Sequence, residues 1–587
     1  MLSYIRKTGG YLDYTIKIGG EAGQGIQTIG DTLARVFSRS GYHVFTHQDY
    51  MSRVRGGHNF YQIRLSDEPV TASRGKVDIL VALDRETVLA HEEELSDIGI
   101  IVYDSAAFQE KQDFPQFLDV PLLKIAIESG GGKITVNTVA TGTILGMLGL
   151  GIDGFIEILS DTLRKKGEDV FNVNRKAAFG GYDFAVRNCP RCSFALSLSG
   201  LPLRNMLIGA NEAIGLGAIG SGCRFYSAYP MTPSTGIMLY IASKAKEYGV
   251  VVEQAEDEIA AINMAIGASF AGVRAMTGTS GGGFALMVEG LSLAAMTETP
   301  IVIALAQRPG PATGFPTRTE QAELLFALHA GHGEFPRVIF APGSPEQAFY
   351  LTNKAFDLSQ KYQIPVFILT DQYLADSQWT YSGFNLNRLI YRNYRLTEPD
   401  LEGVAEYKRH AFTETGISPF AIPGASHHLV VTDSDEHDEE GHLVEDGPTR
   451  IRMVQKRLFN KVPLIRDEMA PPLVCGDSAP DIVVTGWGST FGIMNEAVKT
   501  LSLTTKIAML HFSEIFPFPS NRSFDYVEFL RRAKITVCVE QNASGQFARL
   551  MRTETGFEFS GTINRYDGRP FMVEELIGEL SAYIERL

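Results

Sequence analysis

The chain has 587 residues, a length that predicts three to five domains, and 44% of its residues are hydrophobic and 21% charged, as is typical of globular protein. Its formal net charge of −15 argues against nucleic-acid binding, which needs clustered Lys and Arg to displace counterions. The N-terminus lacks the apolar core of a signal peptide, and the longest apolar stretch, at residues 291–306, is broken by Glu298 and Pro300. We therefore expect a cytoplasmic protein without a membrane span.

Cysteine usage limits the metal chemistry of the chain. The five cysteines do not form a disulfide framework, and Cys189 and Cys192 make one CxxC pair. A zinc or iron–sulfur site normally needs four ligands. We therefore expect a bare or weakly redox-active pair, no metal site in this chain, and any iron–sulfur cluster on another polypeptide.

The first predicted domain, residues 1–195, has strands that alternate with helices, which indicates an α/β fold with a mostly parallel sheet. A glycine-rich turn between its first strand and first helix resembles a dinucleotide fingerprint at Gly23 and Gly25, but Thr28 occupies the third glycine position. A plain tight turn and a phosphate cradle therefore explain this spacing equally well. The clearest elements are strands at residues 14–18, 43–47 and 77–83 and a helix at residues 26–38.

A cationic segment of this domain, SRVRGGHNFYQIRL, carries Arg53, Arg55 and Arg64 beside two glycines and His58. Arginines on a flexible backbone can hold phosphates. A surface β-hairpin with solvated arginines explains the same residues, and a lone histidine such as His58 is more often structural than catalytic. The sequence leaves both interpretations open.

The second predicted domain, residues 196–380, repeats the alternation of strands and helices. Its sheet should be parallel, and the loops that follow its strands should therefore meet at one edge, where α/β proteins bind ligands. We predict helices at residues 211–220, 234–248 and 257–270 and strands at residues 223–228, 250–253, 300–306, 337–341 and 365–370.

The loop AYPMTPST follows the first of these strands and is stiffened by two prolines. Ser234 or Thr235 is a good N-cap for the next helix. Such a loop holds the hydroxyl of Thr232, together with the aromatic Tyr229, rigidly at the ligand-binding edge. A generic capped turn would need neither the aromatic residue nor two prolines.

Three acids, Glu256, Asp257 and Glu258, precede a helix rich in small residues. The helix dipole favours negative charge at this position and could account for two of the three. Apolar and small residues follow Glu258 at once, so its carboxyl can face a packed interface, where desolvation favours the protonated form.

Two further segments follow buried strands. Thr279, Ser280 and Gly281 begin a glycine run that indicates close approach of the backbone to a ligand, although a flexible turn between core elements fits equally well. Arg308 comes after the strand VIALA, where its guanidinium can fork onto a carboxylate. An ordinary solvated arginine in a surface loop is the alternative.

The rest of the chain divides into a connector, residues 381–475, and a final α/β domain, residues 476–587. We interpret the acidic run at residues 433–446 of the connector as a solvated loop. An EF-hand does not fit this run, because Asp438 occupies the position that needs glycine. In the final domain we predict strands at residues 481–485, 506–510 and 535–540 and a helix at residues 490–501.

Taken together, these motifs resemble the 2-oxoacid:ferredoxin oxidoreductase family, in particular its alpha subunits with a gamma domain fused at the N-terminus. The resemblance implies a multidomain α/β fold with a Rossmann-like gamma domain, a transketolase-like domain that binds the pyrimidine of thiamine diphosphate, and a transketolase C-terminal-like domain. It rests on the order and spacing of GGEAGQGIQ, SRVRGGHN, AYPMTPST, QAEDEIAAI, TSGGGFALM, QRPGPATGFPT, EHDEEGH and EQNASGQ.

The resemblance also implies roles for single residues. The glutamate that activates thiamine diphosphate falls on Glu258, with Glu256 as the alternative. Thr232 matches the loop threonine that contacts substrate, and Arg308 matches the arginine that binds the substrate carboxylate. The remaining implied contacts are Tyr229 to substrate, Thr279, Ser280 and Gly281 to the cofactor, and Gly23, Gly25, Arg53 and Arg55 to coenzyme A.

The same resemblance implies partners. The chain lacks a motif for diphosphate and Mg²⁺ and lacks cluster-ligating cysteines, so a beta subunit is expected to carry the motif and a [4Fe-4S] cluster, in a dimer of heterodimers that reduces ferredoxin. The motifs are most similar to those of 2-oxoglutarate enzymes, in which Arg318 is a candidate for the distal carboxylate. A pyruvate or broad-range enzyme, a non-catalytic subunit that binds coenzyme A or a nucleotide, and another type of thiamine enzyme are the alternatives.

Overall fold

A computed structural model describes residues 12–52, 56–189, 194, 196 and 205–585. No helix within these residues is both long enough and apolar enough to cross a membrane. The boundaries of the four predicted domains given above stay a prediction. The structure itself divides into two compact units, the first formed by Met1–Ile208, Ser377–Gly383 and Met572–Glu575, and the second by Gly209–Asp376, Phe384–Phe571 and Leu576–Leu587.

The first unit is built on a mixed sheet. Its strands are β1 (Asp13–Glu21), β2 (His43–Asp49), β3 (His58–Ser66), β4 (Val77–Ala82), β5 (Leu95–Tyr103), β6 (Phe117–Asp119), β7 (Met206–Gly209) and a later strand at Gln378–Tyr381. Their order is β6-β5-β4-β1-β3-β2, then Gln378–Tyr381, then β7.

The predicted mostly parallel sheet is correct for only half of this unit. Strands β1, β4, β5 and β6 are parallel, whereas β3 is antiparallel to both β1 and β2. The segment that joins β2 to β3 is too short for a crossover helix, so these two strands form a hairpin.

Helices cover the sheet of the first unit and bury its apolar side chains. Two of them approach so closely that a Cβ at Gly142 or Gly181 would clash with a backbone carbonyl of the facing helix. The core includes Ile16, Leu33 and Val81. The helices are α1 (Ile26–Arg39), α2 (Arg85–His91), α3 (Ser105–Phe108), α4 (Leu122–Glu128), α5 (Val136–Met147), α6 (Asp153–Leu163) and α7 (Glu168–Asn188).

The second unit opens with strands and helices that confirm the sequence prediction to within two residues at each end. The strands are β8 (Phe225–Ala228), β9 (Val251–Gln254), β10 (Ala275–Thr279), β11 (Ile301–Gln307), β12 (Val338–Phe340) and β13 (Pro365–Asp371); β14 is the strand Gln378–Tyr381 of the first unit. The helices are α8 (Ala210–Gly220), α9 (Thr235–Tyr248), α10 (Glu258–Phe270), α11 (Gly281–Met296), α12 (Leu324–His329), α13 (Pro345–Tyr362) and α14 (Gln372–Asp376).

The end of the chain packs against these elements in the same unit. Its elements are β15 (Leu473–Gly476), β16 (Ile482–Trp487), β17 (Ile507–Phe512), β18 (Glu514–Phe516), β19 (Ile535–Glu540), β20 (Gly561–Asn564), α18 (Thr490–Leu501), α19 (Tyr526–Arg532), α20 (Gln546–Thr555) and, from Leu576 on, α21 (Val573–Ile584). β18 pairs antiparallel with β12, which gives a seven-stranded sheet in the order β18-β12-β13-β11-β10-β8-β9. Phe284 and Leu291 of α11 share one core with Trp487 and Phe547.

The connector contains α15 (Glu398–Leu401), α16 (Gly447–Val454), a π-helical turn at Gln455–Asn460 and α17 (Lys461–Glu468). The acidic run is a loop, as the sequence suggested, and its ends at Asp435, Glu445 and Asp446 are exposed, but its middle is not solvated. Glu436 is ion-paired with Arg457 and Arg450, and His437 is fully buried. Basic residues of α16 and of the π-helical turn face the run, and their positive charges hold part of it inside the fold.

A buried ionic cluster joins the connector to the end of α11. Glu298 is 1% exposed and accepts hydrogen bonds from Lys456 at 2.5 Å, from Lys461, and from His410 at 3.2 Å. Burial alone would raise the pKa of Glu298, but the two ammonium groups outweigh burial and hold that pKa well below 4.5. Because Lys456 and His410 bond to Oε1 and Lys461 bonds to Oε2, both oxygens of this carboxylate have partners inside the chain.

Candidate active site

The candidate site lies at the carboxyl-terminal edge of the seven-stranded sheet. β9, β8, β10, β11 and β13 are consecutive parallel neighbours, so the segments that follow them meet at one edge. The loop with Thr232 follows β8, the acids at 256–258 follow β9, Ser280 follows β10 and Arg308 follows β11. The structure thus brings together the second-domain residues that the sequence singled out, apart from Arg318.

The three acids before α10 have three different environments. Glu256 is exposed. Asp257 is the N-cap of α10, and its carboxylate accepts a hydrogen bond from the backbone N–H of Ala260 at 2.7 Å. Glu258 is 4% exposed, and its Oε1 has no hydrogen-bond partner among the described residues. Capping of α10 accounts for Asp257, whereas one carboxyl oxygen of Glu258 stays without a partner among the described residues.

The three glycines after β10 form the first turn of α11, so the alternative of a flexible turn is wrong. Ser280 is the N-cap but makes no capping bond, and its buried Oγ lacks a partner in the described part of the chain. A Cβ at Gly283 would clash with Oγ1 of Thr279 and lie 2.8 Å from Cγ of Glu258. The glycine run therefore makes room for side chains at this edge, and it leaves an uncapped helix N-terminus beside them.

Arg308 links two loops of the edge. Its Nη1 donates a hydrogen bond to the carbonyl of Thr232 at 2.8 Å. Burial lowers the pKa of its guanidinium, while the carboxyl of Glu323 raises it, so Arg308 stays a cation in a partly dry position. This environment is not that of a solvated surface arginine, and a carboxylate ligand is the natural partner for it.

The loop after β8 differs in one detail from the prediction. Ser234 precedes α9, but its hydroxyl donates to the carbonyl of Met231 at 2.8 Å and does not cap the helix. Tyr229 is 41% exposed, and Thr232 is half-buried. Arg318 donates to the carbonyl and the hydroxyl of its neighbour Thr317 at 3.3 and 3.4 Å, and its Cβ packs beside Gly568.

Sequence reasoning missed Glu323, which precedes α12 and lies at the same edge. This residue is 9% exposed, and a Cβ at Gly281 would clash with its Oε1. Its Oε2 has no partner within the described residues, and its backbone N–H donates to Oε1 of Gln307 at 3.0 Å. The sequence signal was an acid directly before an apolar helix, a pattern that usually means a helix N-terminus in solvent.

The glycine turn of the first unit keeps its two interpretations. Gly23 and Gly25 have φ angles of 96° and 78°, and Gly25 is the N-cap of α1, which has no side-chain cap. Backbone N–H groups at such a helix start can face an anion. Arg53 and Arg55, as well as Cys192, lie outside the described residues, whereas Cys189 takes part in a disulfide.

Two other cationic residues of that segment have partners inside the first unit. Arg64 is 6% exposed and forms a bidentate pair with Asp13, with both distances 2.9 Å, so it is not a solvated arginine. His58 bonds through Nε2 to His91 at 2.8 Å, next to Lys17 and Glu94. Burial, followed by the neighbouring His91, lowers the pKa of His58. The expectation of a structural His58 fits this network.

Comparisons with known proteins give one consistent result. Residues 216–456 match the family described as pyruvate flavodoxin/ferredoxin oxidoreductase, thiamine diphosphate-binding, and residues 15–184 match pyruvate ferredoxin/flavodoxin oxidoreductase. The chain is 33% identical to the 2-oxoacid:ferredoxin oxidoreductase subunit alpha of a Sulfolobus species, over 95% of both chains. It is 28% identical to the 2-oxoglutarate oxidoreductase subunit KorA of Mycobacterium tuberculosis, over 96% of this chain and 90% of that one.

A solved structure resembles almost the whole chain. It is the 2-oxoglutarate:ferredoxin oxidoreductase from Magnetococcus marinus with 2-oxoglutarate, coenzyme A and succinyl-CoA bound. The TM-score is 0.90 at 32% identity, and the match covers 97% of this chain and 99% of that one.

Proposed function

Because this chain belongs to the alpha subunits of the 2-oxoacid:ferredoxin oxidoreductase family, we propose that it is the fused gamma–alpha subunit of a 2-oxoglutarate:ferredoxin oxidoreductase. The reaction is the reversible oxidative decarboxylation of 2-oxoglutarate, with coenzyme A and ferredoxin, to succinyl-CoA and carbon dioxide. Similarity to the Mycobacterium tuberculosis subunit and to the Magnetococcus marinus enzyme supports 2-oxoglutarate as the substrate.

The residues at the start of α10 and α11 fit thiamine diphosphate. They offer the nearly dry carboxyl of Glu258, a hydroxyl on Ser280 that has no partner among the described residues, and an uncapped helix N-terminus beside Thr279. When bound, the cofactor supplies the carbanion chemistry that decarboxylation of a 2-oxoacid requires. The chain supplies a carboxyl that accepts a hydrogen bond from the aminopyrimidine, and backbone at Gly281 that can approach closely.

Two glutamates compete for the activating role. Glu258 is our first assignment, because it is nearly dry and one of its oxygens has no partner among the described side chains and backbone groups. The unpartnered oxygen, Oε1, is enclosed by the chain itself. The cofactor therefore has to contact the other oxygen of the same carboxyl. Glu256 is the alternative, because a carboxyl exposed on one subunit can be covered by a cofactor held on a second.

Arg308 and Thr232 are proposed to bind the substrate. The hydrogen bond from Arg308 to the carbonyl of Thr232 fixes the guanidinium above the edge, where it can fork onto the carboxylate next to the 2-oxo group. Tyr229, which is exposed, can cover the substrate. Arg318 is proposed for the distal carboxylate of 2-oxoglutarate, which pyruvate lacks.

The site needs a second chain to complete it. Three large apolar side chains on the outer faces of α10 and α11, Ile259, Met264 and Leu286, are 48%, 42% and 51% exposed. An apolar patch beside an unsatisfied carboxyl is typical of a subunit interface. We propose a beta subunit there, with the diphosphate and Mg²⁺ motif and the [4Fe-4S] cluster, in a dimer of heterodimers; the gamma-type unit takes coenzyme A near Gly23, Gly25, Arg53 and Arg55.

The experiment that tests this function is co-purification of the chain with its native partner, followed by assay of an oxoacid panel. We expect uptake of thiamine diphosphate in calorimetry and coenzyme A-dependent reduction of ferredoxin, fastest with 2-oxoglutarate. A preference for pyruvate would change the substrate. Absence of cofactor uptake would favour a regulatory subunit, and reduction of NAD in place of ferredoxin would favour another type of thiamine enzyme.

A further inference from the structure

Glu323 lies at the same sheet edge as Arg308, and the proposed function gives it no role. It precedes α12, it faces Gly281 at the first turn of α11, and its Oε2 is buried and unpartnered within the described chain. Its backbone is fixed by the bond from its N–H to Gln307, the residue directly before Arg308. The backbone of Glu323 is therefore fixed, whereas its carboxyl makes no hydrogen bond through Oε2 to the described residues.

Charged groups reach Glu323 from several elements. Glu320 lies on its own loop, Arg308 follows β11, and Asp371 ends β13. The first turn of α11 contributes no ionisable side chain, and α20 contributes the uncharged Gln546, whose Nε2 donates to the carbonyl of Ala322 at 2.7 Å. The charges of two acids and one arginine therefore act on a carboxyl that is almost dry.

These surroundings set the charge of Glu323. Burial, followed by the negative charge of Glu320, raises the pKa of Glu323 to about 8, although Arg308 opposes the shift. Burial also raises the pKa of Asp371 to about 6, so Asp371 is ionised where Glu323 titrates. Near neutral pH Glu323 is therefore largely uncharged, and it becomes an anion in mildly alkaline solution.

We propose that Glu323 controls, through its own protonation, how tightly Arg308 binds the carboxylate of the 2-oxoacid. The inference rests on the substrate role proposed for Arg308 and adds a regulator to that site. While Glu323 is neutral, the full charge of Arg308 acts on the substrate. Once Glu323 ionises, its negative charge offsets that of Arg308 and repels the anionic substrate, so binding weakens.

The sign of the pH dependence follows from this competition. The KM for the 2-oxoacid should stay low below pH 8 and rise above it, on the order of tenfold between pH 7 and pH 9, because one unit of coupled pKa shift is a factor of ten. The KM for coenzyme A serves as an internal control. Its pH dependence has a different origin and should be the same in every variant.

The test uses the purified two-chain holoenzyme with saturating coenzyme A and ferredoxin, and two variants that should behave oppositely. In Glu323→Gln the side chain cannot ionise, so the ratio of the KM at pH 9 to the KM at pH 7 should fall from about ten to about one. In Glu320→Gln the like charge that raises the pKa of Glu323 is removed, so the rise of KM should begin at lower pH.

The outcomes separate this inference from the function itself. If the wild-type holoenzyme lacks oxoacid-dependent ferredoxin reduction, the proposed function fails. If it is active but Glu323→Gln keeps the wild-type KM profile, the control by Glu323 is wrong. Should Glu323→Gln not fold, Glu320→Gln still decides, because an unshifted profile in that variant also contradicts the proposal.

Discussion

Two groups of buried acids in the second unit differ in how their oxygens are satisfied. Glu298 receives hydrogen bonds from Lys456, Lys461 and His410, so its charge is matched inside the chain. Glu258 and Glu323, at the edge of the sheet, each have a buried oxygen that accepts no hydrogen bond from the described residues. An isolated buried charge is costly, and a stable fold therefore provides partners for it or leaves it to be neutralised by something else.

This difference separates a structural acid from a functional one. The Glu298 cluster attaches the connector to α11 and is complete without any ligand. The acids of the edge are incomplete in this chain, which is expected of residues that serve a cofactor, a substrate or a partner subunit. Burial alone did not distinguish them, because Glu298 and Glu258 are 1% and 4% exposed.

The largest effect is expected for Glu258→Gln. A glutamine fills the same space but is a far weaker hydrogen-bond acceptor and cannot exchange a proton, so kcat should fall about a thousandfold while the fold is kept. The measurement is 2-oxoglutarate-dependent ferredoxin reduction by the two-chain enzyme. Glu256→Gln is the matched control and should retain most of the activity; the reverse result would transfer the activating role to Glu256.

The second prediction concerns the complete cluster. Glu298→Gln leaves two buried ammonium groups without a counter-charge, so unfolding of the second unit should become easier by about 3–5 kcal/mol. Chemical denaturation followed by circular dichroism measures this loss. As a control, Glu528→Gln breaks an exposed pair with Arg532 and should change the free energy of unfolding by less than about 0.5 kcal/mol.

The Glu298 cluster also predicts how the stability of the second unit depends on pH. The folded-state pKa of Glu298 lies well below the value of 4.5 of an unfolded carboxyl. Its contribution to stability is therefore complete above about pH 4.5 and is lost as the pH falls through the lower folded-state value. Acid should thus destabilise the wild type more than Glu298→Gln, and parallel acid titrations of the two proteins would contradict the assigned charge.

The third prediction tests whether Arg308 and Arg318, at the edge of the sheet and in the loop after it, bind the substrate. Arg308→Lys keeps the charge but loses the planar fork, so kcat/KM should fall about a hundredfold for every 2-oxoacid. Arg318→Gln is the counterpart and should raise the KM for 2-oxoglutarate but not for pyruvate, which has no distal carboxylate. Equal effects of Arg318→Gln on both substrates would remove Arg318 from the specificity site.

The smallest effect on activity is expected from adding one methyl group at the start of α11. In Gly283→Ala the new Cβ collides with Thr279 and displaces Glu258, so activity should fall about tenfold. Gly282→Ala is the control, because its Cβ would meet only the carbonyl of Ala312, at 3.8 Å. Cofactor affinity and activity of the two variants should differ clearly, and equal values would show that the glycine run does not serve Glu258.

The sequence by itself predicted most helices and strands of the second unit, and it predicted the loops that carry the candidate active site. Alternating apolar strands and helices predicted where strands β8 to β13 lie along the chain, because such periodicity is local. Their order in the sheet came from the structure. Parallel strands then placed the segments of Thr232, Glu258 and Arg308 at one edge. Family motifs added the expected chemistry, and the relatives agree with it.

Only the tertiary structure decided which acids are satisfied. Glu298 looked in sequence like an interruption of an apolar stretch, and Glu323 like an ordinary helix-start acid. Their roles depend on Lys456, Lys461 and His410 in one case and on Gly281 and Arg308 in the other, which are distant in sequence. The antiparallel pairing of β3 with β1 was likewise hidden, because strand direction depends on long-range hydrogen bonds and local propensity carries no record of them.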